Sequence, residues 1–541
     1  PAAARSAAGP HGSPHALATG APAAGPARPS ADGTTLRSVA APRGSTGYRR
    51  LADGPGWART VRTELAPAHA GRDARRTVLA SFAQFTDLHL VDVQHPLRFE
   101  YLRAQAASAW RPQEALSVVG VVSLIERVNA LRGGPVTGHP LSFVMTTGDN
   151  TDNNARVELD WFLTAMNGGR ITPDTGDPRH YEGVQDSGLS LYWQPESALR
   201  DADKRAGFPR LDGFLAAATR PVHSPGLRVP WYSTVGNHDS LPGGAYTAGD
   251  PFFADFATGG RKLLRVSDAD AETLWRVARR GDDPAGEAIK ALLGSRTRQM
   301  RGVTPDERRA PFTPREYLAA HLAPEHTGPG PTGHGYTEDN LDGTRLYYTF
   351  PVADGVLGVS LDSTDPGGHF TGSVGTAQLR WLERTLTRHA DERVLVFSHH
   401  TSTTMGNLTR DPARPHERRH GGAEVAALLA RHRNVLAWIN GHSHRNAIRP
   451  RDGFWEVTTA SHVDYPQLAR VIELVDNHDG TLSLFTTLVE SAAPHRTDFA
   501  DLSQTGLAAL YRELAFNAPG ARSALAGHPE DRNTELLIGR R

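Results

Sequence analysis

Five apolar, β-branched runs in this 541-residue chain each stop at a short polar cluster, and that pattern constrains the fold more than anything else in it. The run 77–85 leads into Thr86-Asp87-Leu88-His89, and 143–147 into Gly148-Asp149-Asn150. The run 229–235 leads into Gly236-Asn237-His238-Asp239, 394–397 into Ser398-His399-His400, and 435–439 into Asn440-Gly441-His442-Ser443-His444. Short apolar runs of this kind read as buried strands. Ends of adjacent strands converge on one edge of an open α/β sheet, where such sheets hold their sites. The five clusters are therefore expected to meet.

Taken singly, each cluster has an ordinary explanation. Strand-Gly-Asp is a common turn, Gly and Asn favour turns for backbone reasons, and two histidines after an apolar run can be a polar strand end. Taken together they offer carboxylates, imidazoles and one amide oxygen. With no cysteine in the chain, disulfides and thiolate metal sites are excluded. The remaining donor set suits borderline-hard divalent ions such as Mn, Fe or Zn.

Helices are expected over 118–132, where Val121, Leu124, Ile125, Val128 and Leu131 share a face ahead of Gly133-Gly134-Pro135, and over 157–166, 314–322 and 507–514. A further helix is read after Ser373 or Thr376, with Leu379, Leu382 and Leu386 as its stripe, and another carries Val425, Leu428, Leu429 and His432. Paired strands are expected at 346–350 with 356–361, and at 470–475 with 482–489, beside another at 454–459. Two long stretches, about 167–230 and 240–342, lack sustained periodicity and read as inserts. Residues 1–45 are Ala/Pro/Gly/Ser-rich and are expected to be disordered. Order is expected from about Arg76, with a catalytic domain over 76–490 and a C-terminal helical extension over 491–541.

The formal net charge is zero and no basic stripe stands out, so a nucleic-acid partner is not favoured. No apolar run approaches the length of a transmembrane segment. Oligomeric state leaves no signal. Positive charge is almost all arginine, and with abundant Ala, Gly and Pro this matches a GC-rich, actinobacterial composition. The chain opens at Pro1 and its first segment reads as a tether in an exported protein, secreted or cell-surface.

The order D-x-H, G-D, G-N-H-D, H, G-H-x-H resembles the signature of the calcineurin-like metallophosphoesterase superfamily, with all five blocks intact between about 77 and 490. The resemblance is nearest to an actinobacterial subgroup exported by the twin-arginine route and carrying long inserts. It implies a four-layer α/β sandwich, two mixed β-sheets face to face with helices outside. It also implies a dinuclear centre in which one metal takes Asp87, His89 and His444, the other takes Asn237, His399 and His442, and Asp149 bridges them. His238 would stand near the leaving oxygen as general acid, and Asp239 is read as orienting it. His400 and Asn150 are assigned to the surrounding shell, and His334 and His462, with their neighbours Tyr336 and Asp464, as lining of the pocket. The implied reaction is hydrolysis of a phosphomonoester or phosphodiester, small or polymeric, by hydroxide held between two divalent or mixed-valence metals. Substrate class does not carry over, because 88 positions separate Asp149 from Asn237 and 160 separate Asp239 from His399, room for a cap. The alternatives are a two-metal nuclease and a non-catalytic metal-binding surface protein, with an ester or amide hydrolase behind them.

Overall fold

Alternation along single strands explains the layering. The computed structural model describes residues 27–521 and 523–539. In the strand Arg393–Phe397, Val394 and Val396 face one core while Leu395 and Phe397 face another. In Val435–Asn440, Trp438 and Ile439 divide the same way. Side chains of a strand point alternately to its two faces, so a sheet built from such strands is covered on both sides.

Five strands feed the site: β1 (Thr77–Phe85), β2 (Val144–Thr147), β3 (Trp231–Thr234), β4 (Arg393–Phe397) and β5 (Val435–Asn440). The first three lie side by side and parallel at one end of a seven-stranded sheet. The other two are parallel neighbours at the middle of a six-stranded sheet. The long strands Leu468–Asp476 and Thr481–Glu490 extend the first sheet antiparallel to β1. The two sheets meet through aromatic side chains: Phe82 lies 5.9 Å from Phe397, Phe143 5.6 Å from Phe350, and Tyr232 stacks on Phe350 at 4.1 Å. Each such ring removed from water contributes about 1.5–3 kcal/mol.

Helices cover the outer faces. α1 (Ser117–Ala130), α2 (Arg156–Asn167) and a C-terminal helix, Gln504–Asn517, share the core of the seven-stranded sheet. Leu382 and Leu386 of the helix Thr376–Arg388, with Val425, Leu428 and Leu429 of Gly422–Arg431, cover the far face of the six-stranded sheet. The architecture is a mixed α/β sandwich in four layers, as expected. Among the described residues no helix is long and apolar enough to cross a membrane.

The expectations fail at the ends of the chain. Residues 1–26 lie outside the described residues, but Ser38–Pro42 and Leu51–Pro55 form a hairpin, and the Thr35 backbone N–H donates to the Leu488 carbonyl at 2.9 Å. Thr60–Arg62 is the edge strand of the seven-stranded sheet. Order therefore begins well before Arg76, because backbone pairing and not composition holds these residues. The expected helical extension also carries Thr534–Gly539, which pairs with Thr481–Glu490 inside the first sheet. It is a structural part of the sandwich.

Candidate metal centre

All five clusters emerge at one edge. Asp87, His89, Asp149, His442 and His444 have left-handed backbones, with φ between 44° and 61°. Such conformations cost about 1–3 kcal/mol each for residues other than glycine and persist where surroundings over-determine them. Here the surroundings are the other blocks. The Asp87 N–H donates to the Gly148 carbonyl at 3.0 Å and the His89 N–H to the Asp149 carbonyl at 2.9 Å. The Gly441 N–H donates to the His399 carbonyl at 3.0 Å. Gly148, at φ 88°, sits so close that an added Cβ would lie 2.6 Å from the Gly236 nitrogen, and one on Gly441 would overlap the Thr86 hydroxyl. The glycines of the blocks let the loops touch.

The donor atoms form two sets. In the first, Asp87, His89 and His444 each bring one atom within 4.8 Å of the others, with Asp87 Oδ1 3.2 Å from His444 Nε2. In the second, His399 Nε2 and His442 Nδ1 approach to 3.1 Å. Two imidazole nitrogens that close share either a hydrogen-bonding proton or a metal ion. Asn237 donates its amide Nδ2 to the Gly244 carbonyl at 2.8 Å, which turns its Oδ1 away from that bond. Asp149 stands between the sets: its Oδ2 is 3.1 Å from His399 Nε2 and 3.6 Å from His89 Nε2, while its Oδ1 accepts the His238 N–H at 2.8 Å.

These residues fit a bound metal pair. His89 Nε2 and Asn237 Oδ1 are buried with no hydrogen-bond partner, and Asp87 Oδ1 has only the His444 ring nitrogen at 3.2 Å. A buried polar atom left unsatisfied costs about 1–3 kcal/mol, and cations held by the two sets would satisfy both. The ring nitrogens facing away are held by partners that fix the tautomer. His89 Nδ1 lies 2.9 Å from Asp152, His444 Nδ1 2.6 Å from Asp464, and His399 Nδ1 2.9 Å from the Thr147 carbonyl. Arg98 and Arg111 in turn hold Asp152 and Asp464, each at 2.6 Å.

Burial of the His399 imidazole would lower its pKa, but the Asp149 carboxylate beside it overrides this and raises it to about 9. His444 is likewise raised to about 10 by Asp87 and Asp464 against the effect of burial. Burial would raise the Asp149 pKa, yet the surrounding imidazoles bring it well below the usual range. Without metal, the centre therefore carries imidazolium protons at neutral pH where cations are wanted. Metal uptake is expected to expel them, so affinity should strengthen as pH rises from 7 towards 9. Titration calorimetry of metal-free protein in buffers of different ionisation heat should show proton release at pH 7; uptake without release contradicts this electrostatic picture.

The assignments of Asp239, His334, Tyr336 and His462 change, while His400 and Asn150 lie around the centre. Asp239 does not orient the His238 ring. Its carboxylate accepts backbone N–H groups of Gly236, Asn150 and Thr151 at 2.9–3.2 Å, tying two of the loops together. The His238 ring instead bonds through Nδ1 to the Asp152 carbonyl at 2.5 Å, leaving Nε2 facing the cavity. His334 stacks on Trp231 at 3.5 Å, with both ring nitrogens bonded to carbonyls of Trp231 and His326, away from the cavity. Tyr336 is likewise buried in the core and takes no part in the lining. The His462 ring turns to the Gly120 carbonyl at 3.0 Å, and only its backbone N–H braces Asp87. His400 bonds the Ser363 hydroxyl and the Phe370 carbonyl at 2.9 and 3.0 Å. Asn150 holds the Thr234 carbonyl at 3.2 Å behind the loops. Asp152, Arg98 and Arg111 were not anticipated; only Asp152, three residues after Asp149, stood within reach of a motif.

No family model matches the chain. A protein of Arcobacter nitrofigilis named "Probable glycerophosphodiester phosphodiesterase GpdQ" is 33% identical over 108 residues, which are 20% of this chain and 37% of that protein. The chain thus matches little more than a third of that relative's length. Among solved structures, a dimetal phosphatase from Danio rerio aligns over 77% of this chain and 100% of its own at 12% identity and a TM-score of 0.37. The purple acid phosphatase PPD1 of yellow lupin (Lupinus luteus) aligns over 81% and 53% at 10% identity and a TM-score of 0.27. At those scores neither likeness adds to the fold, which stands on its own sheets.

Proposed function

We propose that this chain is a metal-dependent phosphoester hydrolase of the metallophosphoesterase type. The observation that carries the reading is the position of Asp149 Oδ2 between two sets of buried, partly unpaired donors. The name of the Arcobacter nitrofigilis relative, a glycerophosphodiester phosphodiesterase, supports phosphoester cleavage as the reaction class.

Two divalent ions, Mn, Fe or Zn, held by these seven residues would supply charge for the phosphoryl oxygens and acidify a water for attack on phosphorus. The chain supplies the rest. With those ions bound, the Asp149 carboxylate would offset the repulsion between them. Asn237 would contribute a neutral oxygen, which would keep the centre net positive and attractive to phosphate. The ring of His238 is fixed by the Asp152 carbonyl with Nε2 towards the cavity, where its proton can pass to the leaving oxygen.

His238→Ala should keep both metals yet slow esters of poor leaving groups about 10²–10⁴-fold. 4-Nitrophenyl esters, whose leaving group needs no proton, should slow far less. Equal slowing of both removes the general-acid role. The reading as a whole is tested by turnover of 4-nitrophenyl phosphate and bis-4-nitrophenyl phosphate after reconstitution with Mn, Fe or Zn. Protein with both metals bound that cleaves neither ester overturns it.

A further inference from the structure

A cavity of about 480 Å³ opens from the metal edge, within the usual range for a small-molecule site. Its wall nearest the centre is polar, with His89, Asp149, His238 and His444. Away from that wall it is apolar. Phe99 and Leu102 come from the segment after β1, Tyr246 and Trp275 from the second insert, Phe370 from the loop before Thr376–Arg388, and Tyr465 from the turn before Leu468–Asp476.

These side chains are held from behind. The helix Asp268–Arg280 buries Ala271 and Leu274 in a small core that the insert shares with Leu97, Tyr101 and Leu102, which leaves Trp275 and Ala278 facing the cavity. Tyr246 stacks on Phe253 at 5.2 Å and meets Phe99 edge-on at 5.6 Å. The first insert contributes nothing to the lining and packs instead into the main core through Tyr192, Trp193 and Phe214.

Charge narrows what can enter. Among the described residues lining the cavity, Arg98 and Arg111 are the only arginines, and there is no lysine. Arg98 is engaged by Glu100, Glu114 and Asp152, and Arg111 by Asp464. Neither has a charge to spare, and the lining carboxylates would repel a second anionic group. Among the described residues, a nucleoside diphosphate or a sugar bisphosphate would find no unpaired cation beyond the metal edge.

We propose that the substrate is a phosphoester whose organic group is uncharged and apolar, an alkyl or aryl residue seated against Trp275, Phe99, Leu102 and Tyr465. This rests on the phosphoesterase reading and specifies its substrate class. The second insert, through Tyr246 and Trp275, selects that group.

The test uses the metal-loaded full chain on two series, n-alkyl phosphates and n-alkyl 4-nitrophenyl phosphates, from methyl to hexyl, with ADP and a nucleoside 5′-(4-nitrophenyl phosphate) as charged or polar comparators. At roughly threefold to fourfold per fully buried methylene, kcat/KM should rise at least about 30-fold from methyl to hexyl in one series. The comparators should do no better than the methyl ester. Trp275→Ala should shrink the hexyl-to-methyl ratio several-fold. Binding of methylphosphonate and hexylphosphonate, followed by calorimetry, reads the cavity independently of turnover and should favour the hexyl compound by a similar factor. A flat or falling chain-length profile, or preference for the comparators, overturns the apolar assignment while leaving the phosphoesterase reading intact. Chain-length-dependent phosphonate binding with no turnover of any ester supports the cavity assignment and sinks the phosphoesterase reading.

Discussion

Asp149→Asn is expected to lower turnover about a thousandfold or more, because a two-metal clamp supplies several kcal/mol to the transition state and each 1.36 kcal/mol is tenfold in rate. The substitution keeps the shape of the side chain. Its Oδ1 can still accept the His238 N–H, and Gly236 and Gly148 still leave it room. What it removes is the negative charge facing both His399 and His89. Metal content measured on the purified variant should fall from two ions to one or none, with the unfolding midpoint close to that of the parent. Full occupancy with near-parental activity contradicts the bridging role.

The second large effect concerns stability. Arg98 is 4% exposed and holds three carboxylates, Asp152, Glu100 and Glu114. Glu100 also binds Lys262, which is fully buried and belongs to the second insert. The chain of ion pairs therefore runs from the insert to His89. Arg98→Leu leaves these carboxylates buried together with only Lys262 on Glu100 and Arg111, 4.0 Å from Glu114, as arginine or lysine partners, and breaking a buried pair on one side costs about 3–5 kcal/mol. Denaturant unfolding of metal-free protein measures this. Glu114 adds a pH signature: burial raises its pKa to about 7 even with Arg98 pulling it down. Removing Arg98 raises it further, so the folded variant binds more protons than the unfolded chain. Stability then falls as pH rises, and the deficit against the parent should shrink between pH 8 and pH 6. A variant within about 1 kcal/mol of the parent at pH 8 would show that the network is not structural.

The strands and the polar clusters at their ends were legible because their signals are local. β1 occupies the run 77–85 as read, and the helix Pro314–Leu322 falls on 314–322, where the structure shows Thr313 and Glu316 forming a capping box with Pro314 in the first turn. Asp464 was read as pocket lining and does line the cavity, but the pairings behind the ligands were not legible. Asp464 meets His444 across 20 residues, Arg98 meets Asp152 across 54, and Lys262 meets Glu100 across 162. Ion pairs between distant segments leave no period or spacing to read. The same holds for Thr534–Gly539, a strand recognisable only by the edge it completes, and for His238, whose ring takes a carbonyl from the next loop in place of its neighbour Asp239.

The central claim is that Asp149 joins two cations. Anomalous diffraction from crystals loaded with Mn tests it directly. The account predicts two peaks about 3.5–4 Å apart, one within reach of Asp87, His89 and His444, the other of Asn237, His399 and His442, with Asp149 Oδ2 touching both. A single peak, or a pair in which Asp149 touches only one, would contradict it.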